Sequence, residues 1–293
     1  MTSPNNENLR KLQLIDLYIL LEVKRICELH NIHYFLVGGT LLGAVRHNGF
    51  IPWDDDIDIG MLRKDYDKFI DVCKYELKSN FYLQTKENDK LYPNPWAKVR
   101  LKNTVRMEDG LQYSKSYGYG IDIDIFPFDN LPENPILQLL ISKALKITWS
   151  MYRYRCGFKN KNKSILKKTL LKTYSTVNLL ITKDKLSSII DKFMTMYNNK
   201  QTKYVINYAG AYNYKRERTE KNIVSNCSEL KFENHTFPAP IRYDEYLQNV
   251  YGHDYMVIPK KENQIQHSIY CLDFGKYVDI DKISPEKWDE YIH

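Results

Sequence analysis

The sequence lacks the marks of secreted, disulfide-stabilised and membrane-spanning proteins. Its five cysteines are odd in number and widely spaced, and no Cys-x-x-Cys pair occurs, so we expect neither a disulfide framework nor a zinc module. No apolar run approaches the roughly 20 residues of a transmembrane helix, and the polar N-terminus lacks the apolar segment of a signal peptide. Internal repeats and low-complexity tracts are also missing. These absences predict a globular protein of the cytoplasm.

The charge balance is moderately basic, since Lys and Arg exceed Asp and Glu by 43 − 36 = 7 in 293 residues. Such an excess favours anionic partners such as nucleotides, phospholipid surfaces or phosphorylated glycans. The lysine-rich segment at 159–172 suggests peripheral contact with the inner face of the membrane, although such a run is more commonly a solvated lysine face. The 24 tyrosines accompany no RNP-like motif or basic stripe, so no nucleic-acid partner is expected.

The stretch 35–61, FLVGGTLLGAVRHNGFIPWDDDIDIGM, is the most informative part of the chain. Residues 33–37 predict a strand that runs into Gly38 and Gly39, where a ligand could approach the backbone without meeting a Cβ atom. Thr40 is the predicted N-cap of a following helix, whose free N–H groups and positive dipole end would face a phosphate.

Acidic residues alternate with other residues in two separate stretches. The period of two places Asp54, Asp56 and Asp58 on one face of a predicted strand, and a second strand at 120–126, GIDIDIF, carries Asp122 and Asp124. Oxygen-only pockets of this kind bind hard divalent cations, so we expect Mg²⁺ or Mn²⁺ as cofactor. Whether Asp122 or Asp124 supplies the third ligand stays open, as does the alternative that a metal-free carboxylate acts as general base.

The acidic residues fit neither a calcium-binding loop nor an ordinary surface strand. An EF-hand would need glycine and glutamate at the positions of Ile59 and Asp65, and a merely solvated strand face would not account for the second acidic strand.

Several residues outside the acidic stretches are also candidates for the site. Lys98 and Arg100 lie on a strand predicted at 96–101 and are expected to contact phosphates. Arg46 and His47, at the end of the short helix, either cap it or contact substrate. Trp53 either packs in the core or stacks on a base or choline, and the late His267 could reach the site.

Apolar spacing and prolines predict three parts of the chain. Residues 1–135 form an α/β core with amphipathic helices near 1–30 and 64–78, and the prolines at 127, 132 and 135 are expected to end it. Residues 136–200 are predicted to be a helical insertion. Residues 201–293 form a C-terminal segment that packs back on the core, with a strand at 204–209 and a helix at 243–251.

These motifs resemble a known family. A Gly-Gly turn followed by Asp-x-Asp and a later Asp is similar to the nucleotidyltransferase superfamily. The longer strings GGTLLGAVRHNGFIPWDDDIDIGM, KVRLKNT and GIDIDIFPFDNLP, with the late YLQNVYGHDYM, closely resemble the LicD family, which includes bacterial phosphocholine transferases and the fukutin-related proteins. Asp54, Asp56 and Asp58 match the acidic motif of the family, and Asp124 matches the aspartate before its Phe-Pro, whereas Asp122 is additional.

The resemblance implies an α/β (α+β) fold with a mixed sheet of nucleotidyltransferase type, flanking helices and a helical insertion. It also implies a metal-dependent enzyme with Asp56, Asp58 and Asp124 as catalytic residues. Such enzymes transfer a phosphoalcohol from a CDP-activated donor to a hydroxyl of a surface or lipid-linked glycan and release CMP. The alcohol expected for this chain is choline, carried as phosphocholine. The glycan is lipopolysaccharide, teichoic acid or capsule. Two alternatives stay open: transfer of a nucleoside monophosphate with pyrophosphate release, and a non-catalytic module of a polysaccharide assembly complex.

Overall fold

A computed structural model of the chain describes residues 6–108, 118–158, 181–264, 266–288 and 290. The α-helices of the described residues are α1 (Asn6–Leu29), α2 (Gly38–His47), α3 (Arg63–Glu76), α4 (Pro135–Arg155), α5 (Lys183–Thr195), α6 (Tyr214–Glu217), α7 (Lys221–Ser225) and α8 (Tyr243–Tyr251). The strands are β1 (Phe35–Leu36), β2 (Asp58–Leu62), β3 (Phe81–Gln84), β4 (Ala97–Leu101), β5 (Val105–Glu108), β6 (Asp122–Leu131), β7 (Tyr204–Ile206), β8 (Arg218–Glu220), β9 (Cys227–Phe232), β10 (His235–Pro240) and β11 (Ile269–Asp273). These elements confirm the predicted mixed α/β fold with flanking helices.

The central sheet has the strand order β1-β2-β6-β4-β3. Its one parallel pair is β2 with β6, and the other pairs are antiparallel. The far end of β6 continues into a second ladder with β7, which in turn pairs with β8. Two separate two-stranded ribbons, β9 with β10 and β5 with β11, complete the described strands. The C-terminal third of the chain therefore adds strands to a sheet that the N-terminal half begins.

Helix α1 supplies one layer of the main core. The apolar residues that predicted this helix are wholly buried in it: Leu12, Ile15, Ile19, Val23 and Ile26. They pack in one cluster with Ile57, which directly precedes β2, and with buried residues of the central sheet such as Ile59, Ile123 and Ile125. The alternation of isoleucine with aspartate thus buries one face of β2 and β6 against the helices and leaves the aspartates on the other face.

Strand β6 continues past Pro127, where the sequence predicted a break in regular structure. It runs through Pro127 to Leu131. Pairing with β4 reaches only as far as Ile125, and pairing with β7 begins at Asp129, so Pro127 lies in the gap between the two partners on that edge. A proline is tolerated there because that edge requires no N–H donor from it.

Helices α4 and α5 pair around a small core of their own, which contains Leu145, Tyr152, Leu186, Ile190 and Met194. The described parts of the predicted insertion are therefore helical. Residues 159–180 lie outside the described residues, and the basic segment 159–172 that suggested a membrane-facing surface lies among them. Of the helices that the structure describes, none is long and apolar enough to span a bilayer.

Candidate active site

The register of the parallel pair brings the two acidic stretches together. Asp58 opens β2 and lies directly opposite Asp124 on β6. Burial and the nearby charges of Asp56, Asp124 and Asp54 raise the pKa of the Asp58 carboxyl well above its usual range. Asp54, Asp56 and Asp124 thus lie close enough to Asp58 for their charges to disfavour its ionisation.

Asp54 and Asp56 lie in the loop before β2, so the prediction that they belong to the strand is wrong. The loop is held by the Gln13 side-chain amide, which donates to the Asp54 carbonyl at 2.9 Å, and by the Asp54 N–H, which donates to the Ile51 carbonyl. Burial raises the pKa of Asp54, and the adjacent Asp56 and Asp55 raise it further. The carboxylates therefore converge as predicted, but a loop and two strands bring them together instead of one strand face.

The glycine turn lies against these carboxylates. Gly38 has φ +55°, a left-handed conformation that favours glycine, and a Cβ atom there would lie 3.0 Å from Oδ2 of Asp58. A Cβ atom on Gly39 would lie only 2.5 Å from Oδ2 of Asp54. The absence of side chains at these two positions is what allows the acidic cluster to reach the start of α2.

Thr40 is not the N-cap of the short helix, because α2 begins two residues earlier at Gly38. Its hydroxyl instead accepts a hydrogen bond of 2.8 Å from the Asp58 N–H. Thr40 therefore ties the first turn of α2 to the first residue of β2. At the same helix end, the hydroxyl of Tyr246 accepts from the Gly38 N–H.

Replacing Gly39 by alanine should lower kcat/KM roughly 100-fold, because the new methyl group must displace the Asp54 carboxylate from the cluster. Thermal unfolding should change little, since a flexible side chain can rotate away. Gly157→Ala is the control for activity alone, because its Cβ would meet no atom within 4 Å, whereas its φ of +85° disfavours alanine and should lower the Tm. Full activity of the Gly39 variant would show that the position of Asp54 does not matter for turnover.

Asp122 and Asp124 have different surroundings, although they are neighbours on one strand face. Asp122 is buried and forms ion pairs with Lys98 and Arg100, its neighbours on β4. Burial opposes its ionisation, but the charges of Arg100 and Lys98 outweigh burial and lower its pKa to about 2. Asp124 retains 14% side-chain exposure and accepts a hydrogen bond from the indole N–H of Trp96. Burial raises its pKa.

The two cations expected to contact phosphates thus contact carboxylates. Lys98 bridges Asp122 and Asp124. Arg100 is buried beneath the cluster, where it donates to the Gln84 side chain, the Gly120 carbonyl and Asp122. This burial places Arg100 behind the carboxylates, whereas phosphate contact by Lys98 stays a prediction.

His267 reaches the acidic loop from the C-terminal part of the chain. Its ring Nδ1 lies 2.9 Å from Oδ1 of Asp55 and 3.5 Å from Oδ2 of Asp56. The hydrogen bond to Asp55 raises the pKa of His267 to about 10, even though burial opposes this. The imidazole is therefore protonated at neutral pH and adds one positive charge to the acidic cluster.

Asp55 and Arg106 were missed by the sequence reasoning. Asp55 is wholly buried, and its second oxygen lies 3.5 Å from the guanidinium of Arg106, which is buried on β5. Deeper still, Asp16 on α1 is fully buried, and burial raises its pKa while Arg106 opposes the rise. The signal for Asp55 was its place between two candidate ligands in an Asp-Asp-Asp run, but no local pattern could connect it to Arg106 or Asp16.

Arg46, His47 and Trp53 form a separate group at the end of α2. Nε of Arg46 donates to Nε2 of His47, a second guanidinium nitrogen donates to the Tyr255 carbonyl at 2.9 Å, and the guanidinium lies 5.9 Å from the Trp53 ring. The His47 ring lies 6.4 Å from the same indole. Trp53 packs partly against the main core. Contact of these residues with substrate stays a prediction.

The donor set fits a hard cation, because the cluster consists of carboxylates whose mutual repulsion is only partly compensated. Among the described residues, one group of three ligand atoms lies within 4.8 Å of one another, and Asp55, Asp56 and His267 supply it. His267 is protonated and paired with Asp55 there, so we regard this group as an ion pair. Asp54, Asp56, Asp58 and Asp124 stay the predicted ligands of a cation; of these, Asp56 lies 3.5 Å from the His267 ring and Asp124 shares Lys98 with Asp122.

The glycine turn lies beside Asp58 of β2, Asp124 of β6 and the aspartates of the loop before β2. The family model described as "LicD/FKTN/FKRP, nucleotidyltransferase domain" matches residues 31–162, a range that contains the glycine turn and every aspartate of the cluster. Residues 31–162 are thus similar to a nucleotidyltransferase domain.

Individual relatives extend the match beyond this domain. The lipopolysaccharide cholinephosphotransferase LicD of Haemophilus influenzae is 31% identical over 267 residues, which cover 89% of this chain and 96% of that protein. The ribitol 5-phosphate transferase FKRP of Homo sapiens is 48% identical over 40 residues, or 14% of this chain and 8% of that protein. The uncharacterized protein RP689 of Rickettsia prowazekii is 28% identical over 145 residues, which cover 43% of this chain and 53% of that protein. The chain belongs to the LicD family.

Proposed function

We propose that this LicD-family phosphotransferase moves a phosphoalcohol from a CDP-activated donor to a hydroxyl of a surface or lipid-linked glycan and releases CMP. The observation that carries the proposal is the cluster of Asp54, Asp56, Asp58 and Asp124 beside the glycine turn, where burial and mutual repulsion raise the pKa of three of the four carboxyls. Similarity to a lipopolysaccharide cholinephosphotransferase over most of the chain supports the same class of reaction.

The reaction exchanges one phosphoester oxygen for another. The acceptor hydroxyl oxygen attacks the phosphorus that carries the alcohol, the bond from that phosphorus to the CMP oxygen breaks, and CMP leaves with the electron pair. Mg²⁺ or Mn²⁺ held by Asp56, Asp58 and Asp124 would neutralise charge on the donor phosphates. The hydroxyl proton passes to an ionised carboxylate of the cluster, which acts as the general base.

The chain's own residues account for binding and orientation. The first turn of α2 presents backbone N–H groups and the positive end of the helix dipole next to the cluster, a favourable place for phosphate. His267, which is protonated, adds a positive charge on the side of Asp56. Asp122 keeps Lys98 and Arg100 in place, so we assign the third ligand position to Asp124.

We expect CMP release from one of CDP-choline, CDP-ribitol and CDP-glycerol when each is incubated with the protein, a divalent cation and a crude surface-glycan acceptor. Release should require Mg²⁺ or Mn²⁺ and should stop with EDTA. CMP from no donor, with pyrophosphate released from CTP or ATP instead, would replace the proposal by transfer of a nucleoside monophosphate. Nucleotide binding without any turnover would indicate a non-catalytic module.

A further inference from the structure

Helix α4 exposes an apolar stripe along one side. Five of its large apolar or aromatic side chains are at least 40% exposed, whereas each of the other described α-helices exposes at most one such side chain. Those of α4 are Ile136, Leu137, Leu140, Ile147 and Tyr154. From Leu137 to Tyr154 the stripe recurs at steps of three and four residues when the partly buried Ala144 and Met151 are included, so it follows one side of the helix.

The same helix carries positive charge and no acidic residue. Its basic residues are Lys143, Lys146, Arg153 and Arg155. Lys143 is exposed and lies one turn from both Leu140 and Ile147, so it borders the stripe. In the sequence, the next aspartate or glutamate after Glu133 is Asp184. Helix α4 therefore presents an apolar stripe with cations beside it and no negative charge of its own.

The opposite side of α4 reaches a neighbour of the acidic cluster. Trp149 follows Leu140 by roughly two and a half helical turns, so it projects from the other side of the helix. Its ring meets the Trp96 ring edge-on with centroids 5.5 Å apart, and the Trp96 indole N–H donates to Asp124. The apolar stripe therefore lies about one helix diameter, roughly 10 Å, from the side of α4 that contacts Trp96.

We propose that the exposed side of α4 docks on an anionic phospholipid surface. An apolar stripe flanked by lysines is the pattern of a helix that lies in the membrane interface, with its apolar side chains at the acyl boundary and its cations at the head groups. The inference stands apart from the proposed transfer. Docking through α4 would nevertheless hold the acidic cluster close to an acceptor that is linked to a lipid.

A second copy of the chain fits this surface less well. Two α4 stripes packed against each other would bring the bordering lysines of both helices together, and α4 has no carboxylate to pair with them. Like charges along the edges of an apolar seam oppose association. An anionic bilayer supplies the negative charge that the helix lacks.

Co-sedimentation of the full chain with lipid vesicles tests the inference. Binding to phosphatidylcholine vesicles that contain about 30 mol% phosphatidylglycerol should be about tenfold tighter than binding to pure phosphatidylcholine, and should weaken as salt is added. The double variant Leu140→Gln/Ile147→Gln should bind the anionic vesicles about tenfold more weakly, because two apolar side chains no longer enter the interface. Lys143→Gln/Lys146→Gln should also lose about tenfold, through the loss of two cations.

The matched control is Leu29→Gln/Tyr75→Gln, which replaces two side chains that are exposed on α1 and α3. It should bind vesicles as the wild type does. Thermal unfolding should change little in all of these variants, because each substituted side chain lies at the surface.

Two results with vesicles would overturn the inference: no binding of the wild type to the anionic vesicles, or unchanged binding by Leu140→Gln/Ile147→Gln. A wild-type dimer that the same variant dissociates, without vesicle binding, would assign the stripe to a second copy and also overturn it. Vesicle binding requires no substrate. Binding without CMP release would therefore support the docking surface and contradict the proposed transfer, whereas CMP release without vesicle binding would do the reverse.

Discussion

Asp58→Asn should reduce turnover roughly 1,000-fold or more and at the same time make the metal-free protein more stable. The loss of activity follows because Asp58 lies opposite Asp124 at the centre of the proposed cation site. The gain in stability follows because the buried carboxylate is repelled by Asp56, Asp124 and Asp54 and loses this repulsion as an amide. CMP release and thermal unfolding, both on the purified chain, measure the two effects.

The stability that Asp58→Asn gains over the wild type should increase with pH. Because the pKa of Asp58 is raised in the folded protein, the folded state binds more protons than the unfolded chain above about pH 4. The contribution of Asp58 to stability therefore falls as pH rises through this range, and the advantage of Asp58→Asn over the wild type should grow. Adding Mg²⁺ or Mn²⁺ should raise the Tm of the wild type but not that of the variant.

Asp71→Asn is the control for both measurements. Asp71 lies on α3 with a side chain that is 74% exposed, and its partner is Lys74 on the same helix. Its replacement should change neither turnover nor the response to metal. Full metal-dependent turnover by Asp58→Asn would refute the assignment of the acidic cluster as the catalytic centre.

The sequence predicted those parts of the fold that follow from local periodicity. The apolar residues of α1 recur at helical spacing and the aspartates of β6 recur at a period of two, so each element could be identified from its own residues. The position of β6 next to β2 was expected from the acidic pattern that both stretches share and from the resemblance, and no local signal specifies it. Strand order and register depend on contacts between distant segments, and no local pattern specifies the pairing of β7 with the far end of β6.

The residues of the candidate site could also be predicted from the sequence only in part. Asp56, Asp58 and Asp124 were identified because two acidic stretches with apolar alternation rarely occur in one chain unless they share a site. The partners of the acidic residues were not identified, since Arg106 and Asp16 approach Asp55 from β5 and α1, more than 30 residues away from it in sequence. The prediction that Lys98 and Arg100 contact phosphate was made from the residues of β4 alone. Their cross-strand neighbours on β6 are carboxylates, which neutralise both cations.

The pairing of β4 with β6 also explains why one face can hold both a stable ion-pair network and a reactive cluster. Asp122 lies opposite Arg100, and Asp124 lies opposite Lys98, one step closer to the end of the sheet where β2 begins. Positive charge is therefore concentrated behind Asp122 and becomes sparse towards Asp58. The same strand thus supplies an anchored carboxylate and, two residues later, one that is available to a cation.

Arg100→Met should destabilise the protein by about 3–5 kcal/mol, because it leaves the buried carboxylate of Asp122 with one partner fewer. Asp122→Asn should have an effect of similar size, since it removes a counter-charge that the buried guanidinium of Arg100 contacts directly. The double variant should lose less than the sum of the two, as expected for residues in one network. Denaturant unfolding at neutral pH measures all three.

Asp124→Asn separates this structural role from catalysis. It should abolish CMP release without a comparable loss of stability, because burial already disfavours the charged form of Asp124. Asp122, with its pKa lowered to about 2, contributes stability above about pH 4 that is lost as pH falls towards 2, so wild type and Asp122→Asn should converge in acid. If Asp122→Asn instead left stability unchanged and removed the metal response, Asp122 rather than Asp124 would be the ligand.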